Sequence, residues 1–407
     1  MWTKEQESIY QEYLASYRSK FTKIKPADLR ELIKLSAINA QINYCKLADP
    51  KTCSLKTYIT HWIREEVIHS FVSKTLVKLP SVKNQPESFE ETLADYFNFV
   101  SSNFVANFKK KLFSVALHKR NTKWKELRLS FIKFEQCTQN AVRARNEFAR
   151  NQGFSSYIDL VLDSNKITNS DFSQFKETVD DIIDYCNNSL LLFNNYQSAI
   201  FNEFEDYCFI CNSQSFPFLN LQEVLNYFVN NFPEIRKFKT KIKIVLGSLT
   251  KMEYQKDRDM FNISLNEKLN TRHQILGFIH ELGHVVSYLK NFANEIDLLE
   301  HGRYFAEKEA LQVEYDILFN NAEFQSQAYL GDLLKLYHRV LFELELYKNP
   351  NQDLSKLYAQ TFNHCYKQAN QKSNPLFIFD EYITLKPLSS LPYSIAYTNI
   401  FQKSVSI

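Results

Sequence analysis

Glycine is scarce, with six residues in 407, where ordinary composition runs at about 7%. Few positions can therefore take positive φ or let a backbone wrap a phosphate. Nucleotide folds built on Gly-rich loops and all-β folds dense in turns are excluded on that ground. Charge of one sign is lacking as well. The 49 Lys+Arg against 46 Asp+Glu leave a net +3 spread along the whole length, too weak a field to favour nucleic acid. The basic cluster Lys109-Lys110-Lys111 is too short to track a phosphate backbone and reads as a solvated helix face. No stretch reaches about 18 uncharged apolar residues, so no membrane partner is expected. The opening MWTKEQESIYQEYLASYRSK is amphipathic, with charges where a secretion signal needs apolar residues. A soluble, cytoplasmic protein is expected. The seven cysteines are an odd number, scattered over a long chain, which is no disulfide framework. They read as reduced and mostly buried. Cys208 and Cys211 form a CxxC without the second pair that a tetrahedral zinc site would need.

What the chain does have is core material, 44% hydrophobic and 15% aromatic residues. Apolar residues recur at three and four positions, as in Leu29, Leu32, Ile33, Leu35 and Ile38, or Phe97, Val100, Phe104, Val105 and Phe108. That is the period of a buried helix stripe, and helix dominates the reading. Turn residues cluster near Pro50, between Pro80 and Pro86, near Asn169 and at Pro233, separating helices without a long linker. Two segments alternate as strands do, KIKIVL at 241–246 and MFNISL at 260–265.

Residues 275–290, ILGFIHELGHVVSYLK, are an apolar helix pattern interrupted by His280, Glu281 and His284, an HExxH array. Chance would produce that array about 0.01 times in a chain of this composition. Positions i and i+4 of a helix stack on one face, so both imidazoles can aim at one zinc ion about 2.0 to 2.1 Å from each nitrogen. Glu281 projects to one side, within reach of a water whose pKa the ion lowers toward about 7, and so reads as the general base. Two His and a Glu among Ile275, Leu276, Phe278, Ile279, Val285 and Val286 would be costly to bury without partners.

A catalytic zinc takes three protein ligands and keeps a position open. Glu295, His301, Glu307, Glu309 and Glu314 all follow. The HExxHxxGxxH spacing fails, because Leu289, Lys290 and Phe292 run through that window. RYFAEKEALQVEYDILF starts a second apolar-periodic helix whose early residues can face the first, which makes Glu307 the best third ligand. Glu314 shares its face and is placed to accept from a ligand histidine. Glu309 points roughly 160° away around the helix, and it and His301 stay open as alternatives.

HELGHVVS followed by FAEKEALQVEYDIL resembles the oligoendopeptidase F and thimet oligopeptidase family of zinc peptidases, in which a ligand Glu precedes a second Glu by seven residues. Glu307 and Glu314 stand in those places. ARNEFARNQGFSSYIDLVL, at 144–162, is similar to the family's helix-Gly-aromatic segment, and LPYSIAYTNI, at 391–400, resembles its paired-tyrosine segment. The resemblance spans roughly residues 140–400. It implies a mainly α, two-lobed helical metallopeptidase with a deep channel and a small β-sheet beside the zinc site. The helical N-terminal lobe would take residues 1–185, reduced relative to the family, and the catalytic region 186–407. MFNISL is placed as an edge strand that holds an extended peptide. Tyr393 and Tyr397 match tyrosines that stabilise the oxyanion and position substrate. Two departures stand out. ITLKPLSSL has no histidine where relatives carry one, Lys386 lying closest, and no glycine lies between Gly247 and Gly277 or after Gly331.

The expectation is therefore a zinc endopeptidase acting on short peptides. One Zn2+ per chain would sit on His280, His284 and Glu307, with Glu281, Tyr393 and Tyr397 as catalytic residues. A carboxypeptidase or dipeptidase on a similar scaffold, or a peptide-binding relative that retains zinc, are the alternatives, and oligomeric state is left open.

Overall fold

The structure, a computed structural model, describes Thr92, Tyr96 and residues 131–191, 220–247, 250–255, 258–267, 271–291, 295–319, 327–367, 369–374 and 376–405. The periodic segments at 29–38 and 97–108, the lysine cluster at 109–111 and the CxxC at 208–211 lie outside them. Helix dominates, with one small sheet, as expected. The helices are α1 (Phe131–Asn151), α2 (Tyr157–Ser164), α3 (Asn169–Leu191), α4 (Leu221–Asn231), α5 (Pro233–Phe238), α6 (Thr271–Asn291), α7 (Glu295–Phe319), α8 (Gln327–Lys348), α9 (Leu354–Cys365), α10 (Glu381–Thr384) and α11 (Leu391–Val405). Strands β1 (Ile242–Gly247), β2 (Lys251–Gln255) and β3 (Met260–Asn266) lie between α5 and α6. Among the described residues no helix is long and apolar enough to cross a membrane.

Local chemistry sets several of these limits. The α1 helix ends at Gly153, whose φ of 89° is open to glycine at little cost. The Gly153 N–H donates to Arg150 O and the Phe154 N–H to Ala149 O, closing the helix end in a Schellman arrangement. Asn220 caps α4 by accepting from the Glu223 N–H, and Pro233 occupies the first turn of α5, where its missing N–H costs nothing.

Two compact units divide the described residues. One takes those up to Ser164 together with His338–Ser390; the other takes those between Asn165 and Tyr337 and those from Leu391 onward. In the first unit, Asn146 ties two segments: its Nδ2 donates to Tyr347 O at 2.9 Å and its Oδ1 accepts from the Tyr157 N–H at 3.0 Å. Arg339 pairs with Asp380 at 2.8 Å.

The second unit holds the sheet, in the order β1-β3-β2, with β1 parallel and β2 antiparallel to β3. This corrects the reading of MFNISL as an edge. It is the central strand, paired from Met260 to Asn266 on one side or the other, and Phe261, Ile263 and Leu265 are fully buried in alternation. Removing each such side chain from water contributes roughly 1.5 to 3 kcal/mol, which favours the middle position for this strand. The edges are β1 and β2.

Helices α6 and α7 form the centre of this unit. Phe278, Ile279, Leu282, Val285 and Val286 of α6 and Ala310 and Leu311 of α7 are buried. Gly283 makes the crossing close: a Cβ there would lie 2.7 Å from the backbone oxygen of Ala310. Helix α11 packs on α7 and α3.

Candidate metal centre

The crossing at Gly283 brings the HExxH turn of α6 against the middle of α7. The Nε2 atoms of His280 and His284 stand 3.1 Å apart, and Glu307 Oε2 lies 3.2 Å from the first and 3.3 Å from the second. His280 Nδ1 donates to Glu314 Oε2 at 3.0 Å, since a carboxylate can only accept. With Nδ1 turned to Glu314, Nε2 is the atom His280 presents to the other two.

Three such atoms can be bridged by shared protons or by one metal ion among them. Ligands about 2.0 to 2.1 Å from a tetrahedral ion stand about 3.3 to 3.4 Å from one another, and the observed triangle of 3.1, 3.2 and 3.3 Å is close to that. Two imidazoles and one carboxylate suit zinc or a neighbouring transition metal. Electrostatics point the same way. Burial penalises a charged ring at His280, yet Glu307 and Glu314 outweigh it and hold its pKa well above the ordinary histidine value. The site draws positive charge. Among the described residues, this is the one group of His, Cys, Asp and Glu arranged to hold an ion.

Glu281 is 7% exposed. Burial raises its pKa against the opposing pull of His280, His284 and, least, the nearby backbone N–H of Met252 on β2. A base of raised basicity next to a metal site is suited to carry protons.

Each expected site residue can now be placed. His280, Glu281, His284 and Glu307 come together, and Glu314 supports His280 as the helical spacing indicated. Glu309 lies apart from the ligand cluster, 3.5 Å from Asn291 Nδ2. The side chain of His301 is outside the described set. The Tyr393 hydroxyl donates to Glu307 Oε1 at 2.7 Å, and the Tyr397 hydroxyl to Glu314 Oε1 at 3.0 Å. Lys386 is exposed in the other unit, its Nζ 5.4 Å from the Tyr382 ring centre.

No protein-family profile matches this chain, and no curated protein matches it. Solved structures do. PZ peptidase A, solved with an inhibitor, matches with a TM-score of 0.52 at 14% identity, over 97% of this chain and 74% of that one. An oligoendopeptidase F gives a TM-score of 0.53 at 14% identity, over 98% of this chain and 74% of that one. The chain has the fold of these helical peptidases. The likeness read from HELGHVVS and FAEKEALQVEYDIL thus holds at the level of fold.

Within this oligopeptidase fold, two features of the site escaped the sequence reading. One is β2, whose Met252 reaches Glu281. The other is a half-buried anchor for α11. Asp171 Oδ1 accepts from Asn399 Nδ2 at 2.8 Å and from the Tyr304 hydroxyl at 3.2 Å, joining α3, α11 and α7. Asp171 opens α3 in the pattern Thr168-Asn169-Ser170-Asp171, with the Thr168 hydroxyl donating back to its carboxylate at 2.6 Å. A helix-start signal was therefore legible there, but the partners on α7 and α11 were not.

Proposed function

We propose that this protein is a zinc-dependent endopeptidase of short peptides, with His280, His284 and Glu307 holding the ion. The observation that carries the reading is the triangle of two Nε2 atoms and Glu307 Oε2 with Glu281 on the same turn of α6. When bound, the ion supplies Lewis acidity toward the scissile carbonyl and toward water. Glu281 takes the proton of the attacking water and delivers it to the leaving amine. Its buried position raises its affinity for that proton. Substrate is proposed to lie extended along the outer edge of β2, which adjoins Glu281 and has no further strand beside it among the described residues. Main-chain pairing along a strand edge can bind many sequences. The described cysteines Cys137, Cys186 and Cys365 are buried thiols in no disulfide, in keeping with a reducing, cytoplasmic setting.

The test is cleavage of an end-blocked, quenched-fluorescent peptide library, with metal content measured on the same preparations. Internal cuts by wild type, together with a Glu281→Gln variant that keeps its zinc and loses turnover by roughly 10^2-fold or more, support the reading. Equal activity in that variant overturns the mechanism. Cleavage confined to peptides with free ends would assign an exopeptidase instead.

A further inference from the structure

Resemblance would give Tyr393 and Tyr397 to the substrate, yet both phenols are already engaged. Each of the two site carboxylates is divided in the same way. Glu307 turns Oε2 toward the histidine pair and gives Oε1 to Tyr393 at 2.7 Å. Glu314 turns Oε2 toward His280 Nδ1 and gives Oε1 to Tyr397 at 3.0 Å. Glutamates seven apart on α7 meet tyrosines four apart on α11. A phenol has one O–H to donate. Neither tyrosine can supply it to a developing oxyanion while holding its carboxylate.

We infer that Tyr393 and Tyr397 are positioning residues that clamp the metal-site carboxylates, Tyr393 keeping Glu307 bound to the ion through one oxygen and Tyr397 fixing Glu314 on His280. The inference rests on the metal centre proposed above. A ligand carboxylate free to rotate can offer both oxygens to an ion, filling the position a catalytic zinc must keep open. A donor on Oε1 opposes that rotation, and hydrogen bonds to ionised acceptors are the strong ones. Both carboxylates are buried, at 5% and 6% exposure, so solvent is a poor replacement for a lost phenol. The Tyr397–Glu314–His280 chain sets the direction of the imidazole in the manner of supporting partners at other metal sites. Helix α11 is itself pinned by Asn399 to Asp171 and by Thr398 to Tyr337, at 2.8 and 3.4 Å. The phenols are thus presented by an element that is held in place.

Binding of Co2+ is the direct probe, read by visible absorption and by chelator competition. Wild type should take up one ion per chain with the intense bands of a four-coordinate site. Tyr393→Phe should weaken those bands as Glu307 turns to bind through both oxygens. Tyr397→Phe should weaken affinity by about 10- to 100-fold. Adding Tyr397→Phe to Glu314→Ala should cost less than about 2-fold more, because both remove one chain of contacts. Thermal melts of each variant confirm that it is folded. If wild type binds the ion and both Phe variants reproduce its spectrum and dissociation constant, the clamp is overturned while the metal centre stands; loss of peptide turnover alone in those variants would then assign the phenols to substrate. Failure of wild type to bind any ion overturns both.

Discussion

His280 Nε2, His284 Nε2 and Glu307 Oε2 converge within 3.3 Å, a separation that shared protons or one metal ion can bridge. Glu307→Ala removes the only anionic member, and zinc content measured by elemental analysis should fall from one ion per chain to well below it. Glu309→Ala should keep the ion, since that carboxylate faces Asn291. The residues that make the triangle were legible early because i, i+4 spacing on a helix forces two imidazoles onto one face. The third ligand was harder to read. Several acidic residues follow on one amphipathic segment, and only the packing of α7 against α6 separates Glu307 from Glu309. The tyrosines were found by likeness, but their hydrogen-bond partners depend on how α11 lies on α7, which no local pattern carries.

At the scale of elements, the α6/α7 crossing is set by one residue. A Cβ at Gly283 would meet the Ala310 backbone at 2.7 and 3.0 Å, and backbone cannot turn aside as a side chain does. Gly283→Ala should therefore push the helices apart, lowering stability by about 1 to 3 kcal/mol in a denaturant titration and weakening metal binding in parallel. Gly277→Ala is the control: its Cβ would meet Thr250 Cγ2 at 2.9 Å, a side chain that can rotate, so its metal affinity should stay near wild type. The sheet shows the limit of local reading. KIKIVL and MFNISL have the β-branched alternation of strands and form β1 and β3. KMEYQ has no β-branched residue and polar groups at both ends, yet it is β2, because pairing with β3 supplies what propensity does not. That third strand is what moves MFNISL from the edge to the centre.

At the scale of the molecule, one buried acid outside the metal site ties stability to pH. Glu343 is 1% exposed, and burial pushes its pKa from the usual 4.5 up to about 8, against the Leu388 N–H and Arg339, which favour its charged form. Leu388 has a φ of 55°, unfavourable for a leucine, and donates its N–H to Glu343 Oε1 at 2.7 Å. Over the window from about 4.5 to about 8 the folded chain holds a proton there that the unfolded chain has released. Stability contributed by this group is therefore full below the lower value and declines as pH rises through the window. Glu343→Gln keeps the acceptor without the titration. Its unfolding free energy should fall less than that of wild type between pH 5 and pH 8, the difference growing with pH to the order of a few kcal/mol; parallel pH profiles would assign the pH dependence elsewhere.

By itself the amino-acid order determined the helical class, two of the three described strands, the HExxH array and a carboxylate partner downstream. All of these follow from periodicities that act within one or two turns of chain. Tertiary structure alone decided which strand is central, which glutamate meets the histidines, and that two phenols end on two carboxylates. Those outcomes depend on residues beyond the reach of one or two turns of chain, the phenols and their carboxylates being 86 and 83 positions apart, brought together by burial of apolar faces whose pattern says that a helix must be covered but not by what.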